Sequence, residues 1–263
     1  MYGVALAAHD SPGPAPQALA TFGGADIGHG GDYNVTLAVN PLDPDNVVMA
    51  TAERNGSTPP PTNGFLRCSI DGGATWTPPT YAPIAVDHEN AGGMPRLAFD
   101  GQGRLFWCHI AGHFDGSGNL LAFNLAVSQV DPVNASIVSG PHLVTNDSAA
   151  SGIGNEQAAF VADTNPHSPY ADRLYVAWWN AGRMAFSWSA DQGQTWSARQ
   201  ILASSTVTPG EGELNLPSLT VDRAGDVYLA YHSQPGFAGP FWHVPDGVSG
   251  QVFVLRSTDG GVS

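Results

Sequence analysis

Two of the five glutamates in this 263-residue chain, Glu156 and Glu213, occur in comparable stretches, Asn155-Glu156-Gln157 and Glu213-Leu214-Asn215. Carboxylates that share one cleft can be driven to different pKa values, so that one serves as acid and the other as base. Asp115, in Cys108-His109-Ile110-Ala111-Gly112-His113-Phe114-Asp115, is a third candidate acid. Arg54 and Arg96 bring guanidinium forks suited to an anionic group on a ligand. Tyr33, Trp179 and Trp242 offer flat aromatic faces, and Asn215 offers an amide. That combination suits stacking and hydrogen bonding to a sugar ring. The plainer alternatives are solvated rim carboxylates, an ion-paired Arg96 and tryptophans packed between sheets.

Composition narrows the partners. The net charge is −14, and all nine cations are Arg. Nucleic acid is therefore excluded as a main partner, because neutralising phosphates needs a basic stripe. No 18-residue apolar run occurs, so membrane insertion is not expected. Cys68 and Cys108 are the only cysteines, compatible with one bridge or two buried thiols. His109 and His113 would lie about 13 Å apart along a strand, too far to converge on zinc. Asp87-His88-Glu89-Asn90 and Asp43-Pro44-Asp45 are at most weak calcium loops. No metal and no cofactor is expected.

These residues need a scaffold, and internal repetition supplies one. Four units each hold an apolar strand, an Asp or Asn turn and a second apolar strand. The turns fall at Asn40, Asp100, Asp163 and Asp222, which are 60, 63 and 59 residues apart. A third strand follows in each unit: Gly64–Ser69, Leu120–Val127, Arg183–Trp188 and Gln251–Arg256. Alternation, β-branched and aromatic enrichment, and punctuation by the 32 Gly and 21 Pro mark strands rather than helices. The expected fold is an all-β propeller, with blades at about 31–90, 91–150, 151–212 and 213–263 after a Pro/Gly/Ala-rich segment 1–30.

Three units close their third strand with one octapeptide: Ser69-Ile-Asp71-Gly-Gly73-Ala-Thr75-Trp76, Ser189-Ala-Asp191-Gln-Gly193-Gln-Thr195-Trp196 and the partial Ser257-Thr-Asp259-Gly-Gly261-Val-Ser263. The Asp accepts amides of its own turn, the Gly takes positive φ, and the Trp covers the neighbouring strand. Asp71, Gly73, Trp76, Asp191, Gly193, Trp196 and Asp259 are thus expected to be structural. The second unit has a different turn around Asp131. The octapeptide resembles the Asp-box, or BNR repeat, of the sialidase (neuraminidase) superfamily.

That resemblance implies a six-bladed ring, of which four blades are present here, so the chain reads as a fragment truncated at its C-terminus. A four-bladed ring completed by Gln17–Phe22 is the rival. The resemblance also implies an arginine triad, an Asp acid/base and a Tyr nucleophile, a known departure from the two-carboxylate scheme. The expected first arginine is Asn34 here. Thr51-Ala52-Glu53-Arg54 keeps one candidate arginine, but Asn55–Pro61 lacks the expected acid. The expectation is a secreted or cell-surface, glycan-directed protein, monomeric at full length, with the sialidase set degenerate or missing. The alternatives are an active exo-acting glycoside hydrolase and a non-catalytic interaction scaffold.

Overall fold

The computed structural model describes residues 33–54, 62–115, 117, 119–148, 154–204, 212–235 and 251–263. Among them there is no helix, and the strands form four blades. The first holds β1 (Tyr33–Asn40), β2 (Asp43–Arg54), β3 (Thr62–Ser69) and β4 (Thr80–Tyr81). The second holds β5 (Asn90–Phe99), β6 (Leu105–Phe114), β7 (Leu120–Val130) and β8 (Ile137–Leu143). The third holds β9 (Asn155–Ala162), β10 (Leu174–Asn180), β11 (Arg183–Ser189) and β12 (Gln200–Ser204). The fourth holds β13 (Gly212–Val221), β14 (Val227–Pro235) and β15 (Gln251–Ser257). Pairing within each blade is antiparallel, and a single parallel bridge, Asn63 to Ala91, links the first two. There Gly64 and Gly92 abut so closely that a Cβ on Gly64 would stand 2.2 Å from the Gly92 carbonyl. The short outer strands β4, β8 and β12 were not individually expected. Segments 1–30, Gln17–Phe22, Asn55–Pro61 and the Trp242 loop lie outside the described residues.

Alternation along each strand sends one row of side chains toward each neighbouring blade. Val48, Ala50, Leu66 and Cys68 meet Leu97, Phe99, Leu105 and Trp107 between blades one and two. Phe106, Cys108, Leu125 and Val127 meet Ala158, Leu174, Val176 and Trp178 between blades two and three. Tyr175, Ala177 and Phe186 meet Val227, Leu229 and Tyr231 between blades three and four. Both cysteines are thus buried free thiols in separate inter-blade cores, not a bridge. On β1, Val35, Leu37 and Val39 occupy the places of Pro95, Leu97 and Phe99 but are more than half exposed.

The Asp corners gather on one rim, at the trailing ends of β3, β11 and β15. Asp71 accepts from the Thr75 amide (2.8 Å) and hydroxyl (2.6 Å), while Ser69 donates to Asp71 and accepts from the Gly73 amide. Asp191 repeats this with Thr195 and Ser189. Latches between blades run along the same lower rim: Arg104 bridges buried Asp100 (2.6 Å) and Asp172 (3.2 Å), and the Asn165 amide donates to the Arg223 carbonyl.

Candidate functional site

The upper face, opposite the corners, carries the leading ends of the innermost strands β1, β5, β9 and β13. Their pairing with β2, β6, β10 and β14 slips at one common point in every blade, between Tyr33 and Thr36, Gly93 and Arg96, Glu156 and Ala159, and Asn215 and Ser218, and blades one and two each carry a second slip elsewhere. At each slip one non-glycine residue is held at positive φ: Asn34 (56°), Met94 (46°), Gln157 (51°) and Leu216 (54°). Such conformations are strained for L-residues and persist only where surroundings over-determine them. The bulges also touch. The Gln157 amide donates to Met94 Sδ (3.4 Å), and the Leu216 amide donates to Gln157 Oε1 (3.3 Å). The side chain of one bulge therefore caps the backbone of the next around the axis.

This geometry relocates the residues singled out from the sequence. Tyr33, Glu156 and Asn215 each directly precede a bulge residue, whereas Glu213 lies three positions before Leu216, so Glu156 and Glu213 are not equivalent. All of them sit within strands rather than on loops leading into strands. Only the backbone of Tyr33, Arg54, Glu213 and Asn215 is described. Glu156 pairs across the sheet with Trp179. A Cβ on Gly154 would stand 2.4 Å from the Trp179 ring, so this half-buried indole is seated directly on backbone.

Arg96 is half-buried opposite Cys108, two residues past the Met94 bulge. It has no ion-pair partner among the described residues and donates to the Pro95 carbonyl (2.8 Å). Desolvation pulls its pKa below the usual arginine value. Among the described residues the expected salt bridge has no acid partner, and a desolvated guanidinium lies beside the axial bulges. Asp115 accepts from the Ser117 and Asn119 amides and the Asn119 side chain (all 2.8 Å). Its carboxylate shapes its own hairpin.

One polar constellation went unrecognised as such in the sequence. Glu89 Oε2 accepts from His113 Nδ1 (3.2 Å) and from the Phe114 amide (2.7 Å). A carboxylate can only accept there, so Nδ1 of His113 is the donor of that bond, the arrangement of an imidazole oriented by a carboxylate. The His88 ring lies 5.7 Å away, its Nε2 accepting from Asn124, whose side chain also donates to the Asp147 carbonyl. His109, by contrast, is fully buried in blade two, and desolvation lowers its pKa to about 4. The two histidines do not converge, and among the described residues no three His, Cys, Asp or Glu side chains are arranged to hold a metal ion. The signal for the Glu89–His113 pair was only a separation of 24 residues, which becomes proximity once β5 and β6 pair.

Behind this face a buried amide ties blades two and three. Asn155 accepts from Trp178 Nε1 (2.7 Å) and the Asn180 side chain (2.8 Å), and donates to the Phe123 carbonyl (2.8 Å) and Asp147 Oδ2 (2.9 Å). Arg199 grips Asp147 with both Nη atoms, at 2.6 and 2.9 Å. The arginine hydrogen bond holds the Asp147 pKa below the usual carboxylate value despite partial burial.

Neither a protein-family profile nor a curated protein matches the chain. Solved structures do. The chain is similar to a protein of unknown function from Dyadobacter fermentans DSM 18053 (15% identity, TM-score 0.56, covering 88% of this chain and 66% of that one). It is similar to the α-L-arabinanase of Penicillium chrysogenum solved with arabinobiose (16%, 0.54, 85% and 57%). It is also similar to an α-L-arabinofuranosidase of Fusarium graminearum solved with an iminosugar inhibitor (12%, 0.53, 86% and 58%). This chain spans 57% to 66% of those proteins. At such identities the likeness is one of fold: four blades of an all-β propeller, an architecture that glycoside hydrolases use.

Proposed function

We propose that this chain is a glycan-directed propeller whose ligand lies on the upper face, over the axial bulges. The observation that carries this reading is the recurrence of a strained, non-glycine bulge at the same point of all four inner strands, since an observed backbone outlier argues toward function. Glu156, Trp179 and the desolvated Arg96 lie on or beside those bulges. The arabinobiose and iminosugar complexes of the two fungal neighbours support a sugar as the ligand class. The sialidase-like reading is a finer version of the same proposal and draws support from the Asp corners. It keeps the sialidase catalytic set degenerate, with Asn34 in place of its first arginine. A secreted or cell-surface setting belongs to that finer version.

A hydrolytic reading stands second, favoured by the Glu89–His113 pair and by Glu156. The test is a panel of arabino-oligosaccharides, galactans, xylans and sialosides, measured for binding and for release of reducing ends. Saturable binding weakened at least tenfold in Arg96→Met and Glu156→Gln is the expected result. Turnover lost in Glu156→Gln or His113→Phe would establish the second reading. Failure to bind any of these glycans at millimolar concentration would overturn both.

A further inference from the structure

The segment 82–89, which joins β4 to β5, packs across blade two. Its Ala85 is buried against Ala111, Ala126 and Leu143, one residue from each of β6, β7 and β8. The Ala85 carbonyl accepts from the His88 amide (3.1 Å), and the next amide, that of Glu89, donates to the Gly112 carbonyl (3.1 Å). Two side chains then tie the segment to blade two: Glu89 to His113 and the Phe114 amide, and His88 to Asn124.

The protons of the second tie are fixed by its partners. Asn124 is fully buried, and its Oδ1 accepts from the Asp147 amide (2.7 Å), which can only donate, and from Thr145 Oγ1 (3.0 Å), which itself accepts the Leu125 amide (3.0 Å). Nδ2 is therefore the atom that donates to the Asp147 carbonyl (3.1 Å) and to His88 Nε2 (3.1 Å). On the other side of the ring, Nδ1 lies 2.8 Å from the Val86 carbonyl, which can only accept, so Nδ1 carries the proton. His88 fits this seat only as a neutral imidazole with a bare Nε2. A second proton would set an N–H against the Asn124 NH₂ group, donor against donor. His113 differs, because its bond to Glu89 uses an N–H and survives protonation.

We propose that segment 82–89 is a pH-gated strap: protonation of His88 releases it from blade two and, with it, the hold of Glu89 on His113. The closed strap binds one proton fewer than the open one, so closure is favoured as pH rises and is lost as pH falls through the range where imidazoles titrate, roughly pH 5 to 8. Among the described residues, the charged groups around the ring are Asp87 and Glu89 on the segment itself and His113 on β6, its ring 5.7 Å away. Behind Asn124 stands Asp147, which Arg199 already grips. Asp87 and Glu89 are exposed and attract a charged His88 only weakly in water, whereas a charged His113 repels it. The strap is independent of which ligand the upper face takes.

The test is amide hydrogen exchange on the 263-residue chain, expressed as protection factors so that the intrinsic pH dependence cancels. The His88 and Glu89 amides are expected to lose about tenfold in protection between pH 7.5 and pH 5, the size set by turning one hydrogen bond into a donor–donor contact. Amides of the central strand β10 are expected to hold theirs. His88→Gln, whose Oε1 accepts from Asn124 without titrating, is expected to remove the step, and His88→Phe, which offers no acceptor, to lower protection at both pH values. Imidazole ¹⁵N shifts of the parent chain give a second reading, with a protonated Nδ1 and bare Nε2 expected on His88 at pH 7.5. Constant protection in the parent chain, a step that persists in His88→Gln, or the opposite tautomer would each overturn the inference.

Discussion

Replacing Asn155 by Leu tests whether the amide network behind the upper face holds blades two and three in register. Asn155 is wholly buried and makes four hydrogen bonds. Leucine preserves most of the volume, so the cavity contribution is small. What changes is that the Trp178 Nε1 donor, fully buried, loses its acceptor, and the Asn180 side chain keeps only a long 3.5 Å contact to the Gly154 carbonyl. Each stranded buried donor costs about 1–3 kcal/mol, so the variant is expected to lose about 4 kcal/mol, a large share of a typical domain's stability. Urea unfolding followed by tryptophan fluorescence reads this directly. Asn155→Asp sharpens the argument. It keeps an acceptor for Trp178 and Asn180 but sets a carboxylate against the Phe123 carbonyl and Asp147. The introduced carboxyl then has a folded pKa raised above its unfolded value. Its stability contribution is complete below the unfolded pKa, near 3.9, and is lost as pH rises through the folded one. The deficit of Asn155→Asp should therefore shrink between pH 7 and pH 4, while that of Asn155→Leu should not. A loss below about 1 kcal/mol in Asn155→Leu, or parallel pH profiles for the two variants, would refute the reasoning.

The remaining expectations are shorter. Hydrogen bonds from the Thr75 hydroxyl, the Thr75 amide and Ser69 hold Asp71 at about 2, so its contribution is present above pH 4 and lost as pH falls through about 2. Asp71→Asn should flatten acid unfolding in that window, as seen by far-UV circular dichroism. Burial pushes both thiols to about 12, with Asp131 adding to the effect at Cys68, so neither should react with a disulfide reagent at pH 8. Two thiols per chain should appear on unfolding, and an immediate reaction in buffer would contradict the inter-blade burial. Arg96→Met exchanges a desolvated guanidinium, with no acid partner among the described residues, for an apolar side chain and should leave the melting temperature unchanged or higher while carbohydrate binding falls. A stability loss above about 1 kcal/mol there would mean that Arg96 is structural.

The blades were legible because their causes are local. The turns at Asn40, Asp100, Asp163 and Asp222 and the Asp corners use side chains that bond their own backbone, so residue type and spacing were enough to place strand ends. The short outer strands escaped because Thr80–Tyr81 or Gln200–Ser204 carries no period of its own; each is a strand only because β3 or β11 offers it an edge. The site was less legible for a related reason. Glycine normally marks positive φ, yet the inner strands place Asn34, Met94, Gln157 and Leu216 there, four unrelated side chains with no shared signature. Arg96 reads as a salt-bridge residue because arginine in a chain with 23 acids usually finds one, whereas among the described residues its hydrogen bond is to the Pro95 carbonyl and its strand partner is Cys108.

The repeated blades act as controls for one another. Arg104 closes on the carboxylate of Asp100, but Arg173, its counterpart in blade three, turns away to donate to the Gly260 carbonyl (2.7 Å) and lies over the Tyr170 and Trp188 rings. Asp163 Oδ2 is buried with no hydrogen-bond partner among the described residues. Arg104 thus joins its own turn to blade three, whereas Arg173 reaches the corner of blade four and two rings of its own blade. Arg173→Ala should consequently loosen the fourth corner as well as its own hairpin. Its effect and that of Ser257→Ala should be non-additive by more than about 0.5 kcal/mol, as expected of residues sharing one network. Simple additivity in that double-mutant cycle would mean that the fourth blade stands on its own apolar contacts.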